Sequence, residues 1–251
     1  MVDLVLKGGT IYDGTGAAGF IGDVAITGET IVAVLPAGEM DHAGAEQLID
    51  VSGLVVSPGF IDMHTHSDFT LIADGRAESQ VHQGVTTEVI GQCGYSCAPV
   101  NKPDDIRRVA PWYTDQAKHA PWLGFGDYLD VLDRIELGVN VMAFVGHGTV
   151  HRAVLGDELH PGEPEDVEEM ARLVDKCMDE GAGGFSSGLE YYPGILAAPE
   201  QAAEPGLSMP DPYQARTVSS DPCWRPMGEY NAAALPPGQR YWLLDEGSLT
   251  A

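Results

Sequence analysis

From residue 57 onward the sequence repeats one rhythm: an apolar run, a glycine-rich loop, a helical stretch and then the next apolar run. That alternation confines the chain to a parallel sheet with helices packed on it. Four such units can be counted. The first strand ends at His66, after the apolar run Gly53-Leu54-Val55-Val56-Ser57-Pro58-Gly59-Phe60-Ile61, which has the composition of a buried strand. A helix over 76–83 stops at Gly84, and the second strand, Val85-Thr86-Thr87-Glu88-Val89-Ile90, leads into Gly91-Gln92-Cys93-Gly94. Helices over 104–119 and 125–136 precede a third strand over 139–145 that ends in Gly146-His147-Gly148. The clearest helix spans 164–180, where Val167, Met170, Ala171, Val174 and Met178 share one apolar face between Pro164 and Gly181. That stripe reads as core, and a fourth strand over 183–189 follows at once. The fold class is therefore α/β. It amounts to a partial (β/α)8, or TIM-like, barrel of about four βα units, since a closed barrel needs eight.

Residues 1–56 have a different grain. Short β-type runs such as Leu4-Val5-Leu6, Thr10-Ile11-Tyr12, Asp23-Val24-Ala25-Ile26 and Thr30-Ile31-Val32-Ala33-Val34 alternate with glycine turns, which suits a small β-sandwich or sheet. Beyond residue 196 the periodicity dissolves. The segment 197–251 is rich in proline and has no lysine or histidine, so it reads as an irregular, disordered tail. The expected organisation is thus 1–56, 57–196 and 197–251.

Charge removes several function classes. With 38 acidic residues against 13 basic ones, the formal charge is −25, and neither nucleic acid nor an anionic membrane is a favourable partner. No apolar run reaches the roughly 20 residues of a membrane span, and no signal-peptide pattern opens the chain, so a cytoplasmic protein is expected. Four cysteines outside any small-domain framework fit reduced thiols.

His64 and His66 carry the strongest chemical signal. Residues two apart in a strand project to one side, and the C-terminal ends of barrel strands are where active sites are built. A pair of imidazoles there is half of a metal site. Asp68 suits a supporting role, orienting a histidine or a loop amide. His147, between two glycines past the third strand, is a candidate for the wall of a substrate pocket or for a purely hydrogen-bonding role. A lone cysteine is ordinarily a small buried hydrophobe, which is the reading for Cys97. His42, His82, His119, His151 and His160 show no partner pattern and read as surface or helix residues.

Four runs taken together resemble a known family: Pro58-Gly59-Phe60-Ile61-Asp62-Met63-His64-Thr65-His66-Ser67-Asp68, Gly84 through Gly94, Gly146-His147-Gly148-Thr149-Val150, and Gly184-Phe185-Ser186-Ser187-Gly188-Leu189-Glu190-Tyr191-Tyr192-Pro193-Gly194. They look like the N-terminal half of D-aminoacylases, the N-acyl-D-amino-acid deacylases of the amidohydrolase superfamily, over residues 1 to about 196. The resemblance implies a distorted amidohydrolase barrel and a small-molecule N-acyl-D-amino acid as substrate. It also implies Zn2+ held with the help of Cys93, with His64 and His66 at a second, weaker metal position and Tyr191 at the pocket wall. The family's two later histidines and its general-base aspartate belong to strands five to eight, which have no recognisable counterpart here, so the catalytic residues are unknown. The loss of rhythm near Ile195 suggests a truncated or frame-shifted chain whose own activity is in question. Two alternatives stand beside this reading. One is a noncatalytic metal-binding half-barrel that needs a partner, or that self-associates through its open sheet edges. The other is a hydantoinase-like or dihydroorotase-like amidohydrolase, against which the Gly91-Gln92-Cys93-Gly94 loop and the run from Ser186 to Tyr191 argue.

Overall fold

The computed structural model describes residues 2–102, 105, 122–156, 158, 160–190 and 192–196, together with the two-residue strand Arg240–Tyr241. The chain divides into two compact units. The first takes residues up to Gly59, residues 82–84 and the strand Arg240–Tyr241; the second begins at Phe60 and carries the helices.

In the first unit, β1 (Val2–Ile11) pairs antiparallel with β2 (Phe20–Thr27), which forms a hairpin with β3 (Thr30–Pro36). On the other side of β1 lie two parallel strands, β4 (Ala45–Asp50) along its first half and β5 (Leu54–Val56) along its second. The described strands form one six-stranded sheet, with Arg240–Tyr241 parallel to β5. The two short runs expected at 4–6 and 10–12 are one strand. Its register shifts between Leu6 and Gly9, where Gly8 takes a φ of 78° that suits a bulge. The Gly8 amide, left without a ladder partner, donates to Asp23 Oδ1 at 2.8 Å. Asp23 also holds His42 Nε2 at 2.9 Å, so His42 has a specific partner that sequence reading missed.

The second unit is built on a parallel sheet in sequence order: β6 (Phe60–Asp62), β7 (Val85–Ile90), β8 (Asn140–Gly146) and β9 (Gly184–Ser186). Five helices accompany it among the described residues: α1 (Thr70–Ala73), α2 (Glu78–Val81), α3 (Phe125–Asp133), α4 (His147–Leu155) and α5 (Pro164–Asp179). This is the half-barrel of βα units that the rhythm implied. Alternation along β8 separates its faces: Ala143 and Val145 join the core, while Met142 is 47% exposed. The core gathers Phe125, Tyr128 and Leu132 from α3 and Met170, Val174 and Cys177 from α5. Each large apolar side chain fully buried there contributes roughly 1.5–3 kcal/mol of transfer free energy. α5 starts where Pro164 needs no amide partner, with Asp166 Oδ2 accepting the Glu163 amide at 2.8 Å.

Several boundaries differ from expectation. The single buried strand expected over 53–61 is two strands in two sheets, because Pro58 removes a ladder donor between them. The helix over 76–83 shortens to α2, and the fourth strand shortens to Gly184–Ser186. α1 and α4 were not foreseen. The helix expected over 104–119 falls largely outside the described residues, as do Tyr191 and nearly all of the 197–251 tail. No helix among the described residues is long and apolar enough to cross a membrane.

Candidate metal centre

β6 stops at Asp62, so the two histidines lie just past the strand rather than within it. The Asp62 carboxylate accepts the His64 amide at 3.1 Å, an Asx turn that ends the strand, and the Thr65 amide reaches Val89 O of β7 at 3.3 Å. The two imidazoles stand edge to face with centroids 5.5 Å apart. On the neighbouring strand, β7 runs into a turn where Gly91 (φ 76°), Cys93 (φ 56°) and Gly94 (φ 77°) all take left-handed backbone. That turn brings Cys93 Sγ to 3.0 Å from His64 Nε2. One ligand atom from each of His64, His66 and Cys93 lies within 4.8 Å of the others.

Thiolate and imidazole are the ligand types zinc takes, and three protein ligands with solvent access leave its fourth position free for chemistry. The donor set therefore fits zinc. Burial pushes the Cys93 thiol above its ordinary range, and burial followed by repulsion from His64 lowers His66. An imidazole kept neutral is ready to ligate, and a cation reverses the shift on the thiol.

Around this cluster sit two buried carboxyls. Burial, with a smaller push from Glu88, raises Asp68 to about 7, against the opposing pull of the nearby Gly91 amide on the loop that carries Cys93. Asp68 Oδ1 and both Glu88 carboxyl oxygens are shielded from solvent without a hydrogen-bond partner in the structure. Burial is the main cause that raises Glu88. Sequence reading passed over Glu88, although a charged residue inside the strand Val85–Ile90 is itself a signal, because such residues are rarely fully buried. The segment after the histidines is fastened to α3, where Tyr128 Oη donates to Asp68 O at 3.0 Å. Trp122 Nε1 donates to Cys97 O at 2.9 Å, and Cys97 itself lies wholly in the core.

His147 is the first residue of α4, at the C-terminal end of β8, and is buried against His151 and Phe185 with ring centroids 6.3 and 6.2 Å away. Burial, then the neighbouring His151, brings it down to about 4, so the ring is neutral at pH 7. α4 also touches the Cys93 turn, since the Thr149 amide donates to Gly94 O at 3.2 Å. His151 is buried, not at the surface, and its Nε2 pairs with His160 O at 3.0 Å.

The model of the amidohydrolase family matches residues 47–205. This chain belongs to that family. It is 38% identical to the D-aminoacylase of Alcaligenes xylosoxydans xylosoxydans over 205 residues, 80% of this chain and 41% of that one. It is 34% identical to the N-acyl-D-glutamate deacylase of the same organism, over 82% of this chain and 41% of the relative. Among solved structures, a D-aminoacylase crystal structure superposes with a TM-score of 0.70 at 36% identity, covering 80% of this chain and 42% of the other. The N-acyl-D-glutamate deacylase of Bordetella bronchiseptica, solved with zinc and a phosphonate mimic of the tetrahedral intermediate, gives 0.70 at 30% identity, covering 80% and 41%. This amidohydrolase chain thus spans about two fifths of the length of these relatives, and the half-barrel in it matches their fold.

Proposed function

We propose that this chain is the metal-binding portion of a zinc-dependent N-acyl-D-amino-acid deacylase, its substrate a small linear amide with a free carboxylate. The observation that carries the reading is the convergence of His64, His66 and Cys93 in a chain similar to D-aminoacylases. Zinc at such a site acidifies water and polarises an amide carbonyl. The chain's own residues supply the rest. His64, His66 and Cys93 hold the ion, and Asp68, near the Gly91 amide, supports the Cys93 loop. His147, neutral and unpaired at Nδ1, is assigned a polar contact with the substrate, and Tyr191, outside the described residues, is proposed as a second substrate contact from its place in the sequence motif alone. Attack by water needs a group that takes its proton as general base and then gives it to the leaving amine as general acid, and the described residues offer no assigned candidate for it. The acidic surface and unpaired thiols accord with a cytoplasmic site of action.

The test is a chimera that joins residues 1–196 to the remaining length of the D-aminoacylase relative. The expected result is release of free D-amino acid from N-acetyl-D-methionine, little from the L-isomer, and loss of activity on Cys93→Ala. Activity on cyclic ureides but not on N-acyl-D-amino acids would overturn the assignment in favour of a hydantoinase-like enzyme.

A further inference from the structure

Cys93 occupies a left-handed backbone conformation that an L side chain rarely adopts, and such a conformation persists only where surrounding contacts enforce it. Two side chains that are not themselves metal ligands enforce it here. Ser186, at the end of β9, spans the turn: its Oγ accepts the Gly94 amide at 3.0 Å and donates to the Gly91 carbonyl at 2.5 Å. Gln92 bridges the two ligand-bearing segments, its Nε2 donating to Met63 O at 3.1 Å and to Val89 O at 3.2 Å. Met63 immediately precedes His64 and Gln92 immediately precedes Cys93, so each end of this bridge lies one peptide from a ligand. Both side chains are 8% exposed, which leaves water little opportunity to replace their bonds.

We propose that Gln92 and Ser186 are positioning residues that set the Cys93 thiol against His64 and thereby tune metal affinity. This rests on the metal-site reading above. In the apo protein their effect is on the turn alone: without the Ser186 bridge the Gly91 carbonyl and Gly94 amide lose their shared partner, and Cys93 is free to leave its left-handed backbone. Without Gln92 the Met63 and Val89 carbonyls lose a common donor, and the His64 segment loses one of its ties to β7, the Thr65 amide bond to Val89 O remaining.

The full chain tests this with Ser186→Ala and Gln92→Met, the second close to isosteric, and with Val174→Ala as a control that weakens the α5 core. Two readouts are taken: zinc affinity by competition with a chromophoric chelator, and the alkylation rate of Cys93 in metal-free protein, followed by peptide mass spectrometry. Both positioning variants are expected to weaken zinc by about 10- to 100-fold, the usual range for groups that orient ligands, and to speed Cys93 alkylation several-fold. Val174→Ala is expected to lower Tm while leaving both readouts near wild type. Unchanged affinity and alkylation in Ser186→Ala and Gln92→Met, or equal changes in Val174→Ala, overturn the proposal. If wild type itself fails to hold zinc, the metal-site reading falls, and the apo alkylation rates alone decide whether these two residues position Cys93.

Discussion

On the proposed metal-site reading, Cys93 is the residue whose chemistry metal binding would change most. Its thiol is raised by burial yet only half-buried, so it should react slowly with iodoacetamide without metal and be protected when zinc takes the thiolate. Cys97 and Cys177 have no exposed surface, and burial pushes Cys177 up to about 12. Both should stay unlabelled until the protein unfolds. Site-resolved mass spectrometry checks this, and zinc-independent labelling of Cys93 would contradict it. His147 makes a pH prediction of definite sign. Its folded pKa of about 4 lies below the 6.5 of a free imidazole, so between those values the unfolded chain binds the extra proton. The stability from keeping this ring neutral is complete above pH 6.5 and is lost as pH falls towards 4. That loss is at most about 3 kcal/mol. Chemical denaturation from pH 7 to 4 should show a shallower decline for His147→Asn than for wild type. Ring NMR should show His147 neutral at pH 5, and a midpoint near 6.5 would refute it.

At the level of elements, turns decide where the side chains go. Gly91 has φ 76°, and a Cβ built there falls 2.0 Å from Phe144 O on β8, so Gly91→Ala meets both backbone strain and a backbone clash. Gly156, after α4, has φ 67° but open space around it. Gly156→Ala should cost about 1–3 kcal/mol, from its positive-φ backbone (φ 67°, ψ −129°) alone, and Gly91→Ala more, because a backbone clash adds to the strain; equal losses in thermal melts would contradict this account of the turn. The same contrast explains what was legible in the sequence. α5 could be read because its apolar residues keep helical spacing between Pro164 and Gly181, β7 because its β-branched residues follow the stop at Gly84, and β8 because Val141 to Val145 is a continuous apolar run. α4 could not, since Gly146, Gly148 and Thr149 resemble a loop until the fold fixes them. His64, His66 and Cys93 were visible as residue types beside glycines. The clasp on Cys93 was not, because Ser186 reaches Gly94 across 92 positions and no local pattern encodes such a bond.

For the whole molecule, the parallel sheet of the second unit leaves Ile61 on β6, 54% exposed, and Met142 on β8 uncovered. In a closed barrel the face opposite the helices is interior, and β6 and β9 are the outer strands of the described sheet. Exposed edges and apolar surface drive association, while a formal charge of −25 opposes it. Sedimentation velocity should therefore show association that strengthens with concentration and with added salt, as screening weakens the repulsion. A monomer unaffected by either would mean that the face is covered. The central claim is that residues from the first two strands of this half-barrel hold one metal ion. Metal analysis of the full chain, equilibrated with zinc and desalted, tests it most directly. Wild type should retain about one zinc per chain, with Cys93→Ala and His64→Ala each losing most of it. Equal zinc content in wild type and Cys93→Ala would contradict the claim.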